Sequence, residues 1–212
     1  MNRDGEIIGV VEQVDILSHF ANHSYVVDSQ IRKATSIEDL KTASKGFINI
    51  ITNLTAKGVK VSLISNLIGQ LNTKVYQKLY ELIVPAILQE SACFIVMGSE
   101  GRNEQIIKTD QDNALVIEDG VNPEDYTPYM NKIIETLIDF GYPPCEGNIM
   151  VSNPFWCKNV SEYRKETNRW ILEPDMQNYM DLAIFFDSFA VAGNKQLLID
   201  LKALWELLVL QQ

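Results

Sequence analysis

Hydrophobic and polar positions change their period twice along the chain. From about residue 38 to residue 90 apolar side chains recur at helical spacing: Leu40, Ala43, Phe47, Ile51 and Leu54, then Leu63, Leu67 and Leu71, then Val75, Leu79, Leu82 and Ile83. This spacing predicts a segment of two or three helices. Ser36 with Asp39 three residues later reads as a capping box, and Gly58 as a stop between helices. At Ala92 the period switches. Ala92-Cys-Phe-Ile-Val-Met97 is a continuous apolar run ended by Gly98, and Asn113-Ala-Leu-Val-Ile117 is a second, ended by the turn Glu118-Asp119-Gly120. Both predict short buried strands. Asn122-Pro123-Glu124 opens another helix, with Tyr129, Ile133, Ile134, Leu137 and Phe140 on its apolar face and a stop at Gly141. Residues 147–152 are expected to form a third strand. Beyond them the pattern returns to helix over 160–172, 175–191 and 195–212. At the other end, Glu6 to Val11 reads as a strand running into a helix with Val14, Ile16, Leu17 and Phe20, too short to close a core of its own. The whole predicts an α/β (α+β) fold, a small mixed sheet flanked by N-terminal and C-terminal helical segments.

Composition narrows the chemistry. The 212 residues carry 18 Lys plus Arg against 28 Asp plus Glu, a net charge of -10, which argues against a broad electrostatic footprint for nucleic acid. An anionic ligand therefore has to be held locally, by a few cations or a metal. The apolar runs are far shorter than the roughly 18 residues of a membrane span, and the polar start Met1-Asn-Arg-Asp-Gly5 lacks the pattern of a signal peptide, so a cytoplasmic protein is expected. Cys93, Cys145 and Cys157 show no ligand or disulfide spacing. His19 and His23 lie far from the other candidate residues, so a Ser-His-Asp or Cys-His mechanism has little support. Trp156, Trp170 and Trp205 read as core or interface anchors.

The stretch that carries chemistry runs from Met97 through Gly98-Ser99-Glu-Gly101-Arg102 to Thr109-Asp110-Gln-Asp112-Asn113. Glycines at the end of a strand let backbone N–H groups approach a phosphate, and Ser99 adds a hydroxyl. In an extended segment residues two apart share a face, so Asp110 and Asp112 present two carboxylates together while Gln111 points away. A bound dication relieves the repulsion between such a pair, and Mg²⁺ is commonly held by one or two carboxylates plus substrate phosphates. Lys158, Arg164, Lys165 and Arg169 form the one sizeable basic concentration. They read as a solvated helix face, with Lys158 and Arg164 the candidates for contact with a triphosphate.

This ordered set resembles the nucleotidyltransferase superfamily typified by polymerase beta, whose hallmark is Gly-Ser followed by Asp-x-Asp. It is more similar still to the nucleotidyltransferases of bacterial proteins with CBS and cyclic-nucleotide-binding domains. Gly141-Tyr-Pro-Pro-Cys145 with Gly147 and Met150, Ser152-Asn-Pro-x-Trp156, and Phe185-Phe-Asp187 with Gly193 look like further blocks of that family. The N-terminal Asp4-Gly5-Glu6 through Leu17 resembles the closing strand and helix of a CBS domain.

The resemblance extends to the protein-PII uridylyltransferase group. It implies a Mg²⁺- (or Mn²⁺-) dependent transfer of a nucleoside monophosphate from an NTP to a protein acceptor in signal transduction. Asp110 and Asp112 would be catalytic and bind metal, while Gly98, Ser99, Gly101 and Arg102 would hold the nucleotide. The superfamily usually supplies a third carboxylate from a later strand. Here Glu146 stands at the edge of that region, and Asn148 and Asn153 are weaker ligands for a hard cation. The other reading is therefore a catalytically weak nucleotide-binding regulatory module coupled to a CBS-type sensor. The expected divisions are a CBS-like remnant at 1–25, a helical segment at 26–90, a nucleotidyltransferase core at 91–155 and the start of a helical substrate-binding domain at 156–212. Both ends are expected to belong to a longer protein, and the stripe Leu197, Leu198, Leu201, Leu204, Trp205 and Leu208 to pack on the core or on a second copy in a homodimer.

Overall fold

The computed structural model describes residues 25–98, 110–173 and 175–209, with side chains as far as residue 203. The readings made for residues 1–24, for Ser99, Gly101 and Arg102, and for the side chains of Leu204, Trp205 and Leu208 lie outside the described residues.

Helix α1 covers residues 25–33, followed by α2 (Ile37–Ala56), α3 (Val61–Ile83) and the short α4 (Ala86–Gln89). Ser36 caps α2 as its sequence implies. Its hydroxyl accepts from Asp39 N at 3.1 Å while the Asp39 carboxylate accepts from Ser36 N at 3.1 Å, so two backbone donors of the first turn are satisfied reciprocally. Strands β1 (Ala92–Val96) and β2 (Asn113–Ile117) follow where the apolar runs place them. A 3₁₀ turn (Pro123–Tyr126), with Asn122 Oδ1 accepting from Glu124 N, leads into α5 (Thr127–Asp139). A second 3₁₀ turn (Pro154–Trp156) precedes β3 (Cys157–Asn159) and α6 (Val160–Leu172). Then come α7 (Met176–Phe186), β4 (Phe189–Gly193) and α8 (Gln196–Val209).

The four strands form one mixed sheet in the order β3-β2-β1-β4. β1 pairs antiparallel with both β2 and β4, and β2 pairs parallel with β3. Both faces of the central strands are covered, which is why they read as unbroken apolar runs rather than as alternating ones. Ala92, Phe94, Val96, Leu115 and Ile117 face α1, α2, α3 and α5. Their neighbours Cys93, Ile95, Ala114 and Val116 face the other way, against Trp156, Tyr163, Trp170, Phe185, Leu198 and Leu201 from the later elements. Trp156 and Trp170 are thus core anchors, with ring centroids 6.1 Å apart. Leu198 and Leu201 of the C-terminal stripe pack on the sheet itself.

Two expectations for the sheet are corrected. Residues 147–152 form turns rather than a strand, and the third strand begins at Cys157. Asn148, at φ +53°, and the Asn153-Pro154 turn break the extended path. The helix expected over 175–191 ends at Phe186, and Phe189–Gly193 pairs with β1. Local apolar spacing there fits either state, and the open edge of β1 decides for the strand. The sheet therefore takes β3 and β4 from the stretch after residue 155.

At the end of β4 the chain passes close under β1. Gly193 has φ +77°, and a Cβ there would overlap the Ala92 carbonyl oxygen and stand 3.0 Å from that of Gln89. Gly193→Ala is expected to destabilise the fold by about 2–5 kcal/mol, adding left-handed backbone strain to an overlap that the backbone cannot relieve cheaply. Denaturant unfolding of the two proteins measures it, and equal midpoints would refute it.

Candidate active site at the end of the first two strands

Residues 110–113 run between the end of β1 and the loop after α5. Met97 N donates to the Asp112 carbonyl at 2.9 Å, adding one rung beyond the β1–β2 ladder. On the other side Gln111 N donates to the Pro143 carbonyl at 3.2 Å, and Asn113 N to the Ile149 carbonyl at 3.0 Å. The segment is thus hydrogen-bonded on both edges, and its side chains alternate. Gln111 and Asn113 are fully buried, whereas Asp110 is exposed and Asp112 half-buried. Carboxylate oxygens of Asp110 and Asp112 and the Cys145 sulfur all lie within 4.8 Å of one another.

Buried amides fix this geometry. Asn113 Oδ1 accepts from Val151 N at 2.8 Å, and Asn113 Nδ2 donates to Gln111 Oε1 at 3.4 Å. Gln111 Nε2 donates to the Tyr142 carbonyl at 3.3 Å, and the Tyr142 hydroxyl donates to Asn72 Oδ1 at 2.6 Å. A buried polar chain therefore runs from α3 through the loop to the residues on either side of Asp112. Each member satisfies groups that would otherwise cost about 1–3 kcal/mol apiece to leave unpaired.

Gly98 closes the site from the β1 side. It has φ +57°, and a Cβ there would overlap Asp112 Oδ2, so only glycine lets the strand end this close to the carboxylate. From the loop side, burial pushes the Cys145 thiol up, and a hydrogen bond with Asp112 adds to the rise. A protonated thiol is a donor to a carboxylate and a poor ligand for a hard cation. The two carboxylates are hard oxygen donors, the ligand type that a dication such as Mg²⁺ takes. Burial pushes the other two thiols, Cys93 and Cys157, up to about 12, which leaves them as inert core groups.

The structure brings together Gly98, Asp110 and Asp112 but does not gather every residue the sequence nominates. Glu146 is exposed and is not a member of the group within 4.8 Å; its neighbour Cys145 is. Lys158 lies opposite Val116, four residues along β2 from Asp112, a separation of about 13 Å at the rise of a strand. Its ammonium pairs with Glu166 at 2.7 Å and lies 4.1 Å above the Phe155 ring. Arg164 is exposed on α6. Sequence reasoning passed over Cys145, Asn113 and the inward role of Gln111. The one available signal was a polar residue, Asn113, heading an otherwise apolar strand.

Strand β1 thus leads to Gly98 beside an Asp-x-Asp pair, and helices cover both faces of the sheet. Residues 45–177 match the family described as Putative nucleotidyltransferase DUF294, and the chain belongs to that family. The matched stretch contains both aspartates, Gly98, Cys145 and the first three strands, and ends before β4. Neither a curated protein nor a solved structure matches the chain significantly. No helix among the described residues is long and apolar enough to cross a membrane.

Removing the Asn113 amide should orphan the buried Val151 N–H. Asn113→Ala is expected to cost about 1–3 kcal/mol of stability and to accelerate amide exchange at Val151 more than at β1 residues. Unchanged protection at Val151 would show that the amide is dispensable.

Proposed function

We propose that this protein transfers a nucleoside monophosphate from an NTP to a hydroxyl of a protein acceptor, with Mg²⁺ or Mn²⁺, in a signalling role like that of the protein-PII uridylyltransferase group. The observation that carries the reading is the convergence of the Asp110 and Asp112 carboxylates beside Gly98 in a chain of this family. Asp110 and Asp112 would hold the dication, which when bound supplies charge neutralisation at the phosphates and activation of the attacking oxygen. Gly98 leaves room for that approach, and the Gln111–Asn113 amides keep the two carboxylates on one face. Ser99, Gly101 and Arg102 are assigned to the triphosphate by resemblance, as the residues that follow Gly98. In the transfer the acceptor oxygen bonds to the α-phosphorus, the bond to the β-phosphate bridging oxygen breaks, and pyrophosphate leaves with that electron pair. The acceptor proton passes to solvent or to a carboxylate.

A second reading, a nucleotide-binding regulatory module with weak or no turnover, is favoured by one observation. Among the described residues the third group beside the aspartates is a thiol, and a thiol is a poor general base for a hydroxyl.

The test is incubation of the protein with each α-³²P-labelled NTP, Mg²⁺ or Mn²⁺ and host lysate. Label is expected on a protein with at least one NTP, and Asp110→Asn and Asp112→Asn should each reduce it by at least about a hundredfold. Metal-dependent NTP binding without transfer would support the regulatory module. Transfer that survives both substitutions would refute the assignment of the site.

A further inference from the structure

We propose that the outer face of α7 is the surface on which two copies of this chain pair about a twofold axis. The inference is independent of the acidic pair and its nucleotide.

An ordinary surface helix puts its apolar stripe against the core and its polar residues toward water. Helix α7 is turned the opposite way. Its buried residues are Asn178, Asp181 and Phe185. The two polar ones are satisfied locally: Asn178 Nδ2 donates to the Glu173 carbonyl at 2.7 Å, and Asp181 Oδ1 accepts from Gln177 Nε2 at 2.9 Å. Outward, Met176 is 83% exposed, Tyr179 58%, Met180 49% and Phe186 62%, with Ala183 exposed among them. At 3.6 residues per turn these five fall within about 120° of arc, opposite the buried three. This is the apolar face of a helix that packs on a neighbour.

Area and charge select a second copy as that neighbour. At roughly 200 Å² for a fully exposed side chain of this size, the four large residues present about 500 Å². A pair of such faces buries up to about 1,000 Å² before any flanking residue is counted, which reaches the size of a specific interface. Every exposed residue of α7 is uncharged, in a chain of net charge -10, so two copies can meet here without like charges facing each other along the helix. The ends are complementary in an antiparallel pair. Glu173 and Asp175 flank the N-terminus of α7, while at its C-terminus Lys202 Nζ donates to the Phe186 carbonyl at 2.9 Å and offsets Asp187. Each acidic end then meets the other copy's ammonium. A membrane surface is the poorer occupant, because a helix lying on lipid carries Lys and Arg beside its apolar face, and an acidic chain is repelled by anionic lipid.

The experiment is sedimentation of the protein over a concentration series, for wild type, Tyr179→Glu, Met180→Glu, Met180→Lys and, as a control on another surface, Ile87→Glu, whose parent residue on α4 is 82% exposed. Thermal unfolding of each is followed in parallel. The wild type is expected to dimerise, and the α7 variants to weaken the dimer by about thirtyfold or more. Ile87→Glu should leave it unchanged. Tyr179 and Met180 stand near the middle of α7, where a twofold axis sets each against its own counterpart. An equal mixture of Met180→Glu and Met180→Lys should therefore recover a dimer that neither forms alone. If the charged variants fail to fold, Tyr179→Ser decides, with the same direction of effect. A wild type that stays monomeric overturns the inference, as does a dimer that the α7 variants leave intact or that Ile87→Glu weakens equally. Assemblies that keep growing with concentration, or a mixture as weak as its components, overturn the twofold pairing. Binding of a monomer to vesicles of phosphatidylcholine and phosphatidylglycerol, lost in Met180→Glu, assigns the face to lipid and overturns it too.

Discussion

The double pairing of β1 is the constraint on which the rest of the structure depends. Its five residues are completely buried, with β2 on one edge, β4 on the other and a helical layer against each face. No water reaches this backbone, so each N–H and C=O has to find a protein partner. That requirement draws β4 in from far along the chain and forces the close passage at Gly193. It also accounts for the irregularity between Phe94 and Ile95, where the register against β4 shifts. Val191 and Ala192, consecutive in sequence, both pack on the same side of the sheet, as an inserted bulge residue requires.

The site inherits its rigidity from that strand. The rung from Met97 to Asp112 is a continuation of the β1–β2 ladder, so the acidic pair begins where the fully paired sheet stops. Beyond this point hydrophobic packing no longer fixes the chain, and buried amides take over. Gln111 and Asn113 bind the loop after α5, and Tyr142 carries the connection on to Asn72 in α3. Apolar contacts are tolerant of small shifts, whereas a buried amide with a missing partner is costly, so such a chain favours one arrangement over its neighbours. This gives the N-terminal helices a part in the site, although none of their residues belongs to the acidic group.

Electrostatics divide the sheet by position. The acidic pair sits at the start of β2, in a chain of net charge -10. The cations Lys158 and Arg169 both pair with Glu166, at 2.7 Å each. Lys158 pairs along β3 four residues past Asp112, and the parallel register between β2 and β3 sets that separation. Two cations of the basic cluster read along the sequence thus enter a local ion-pair network.

Much of this was legible in the sequence because it depends on a few neighbouring residues. The Ser36 capping box, the limits of β1 and β2, the start of α5 after Asn122-Pro123 and the alternation of Asp110 and Asp112 follow from periodicity and turn chemistry alone. Tertiary structure decided what local pattern leaves open. Phe189–Gly193 is a strand because β1 had an edge to fill. Residues 147–152 are turns because their carbonyl and amide groups complete the site segment rather than a ladder of their own. Cys145 lies thirty-three residues from Asp112, and no periodicity links them. The buried partners of Gln111 and Asn113 likewise come from a distant loop. A sequence specifies which residues can be extended, capped or buried within a turn or two; which of them meet is settled only when the sheet closes and every buried polar group must find its partner.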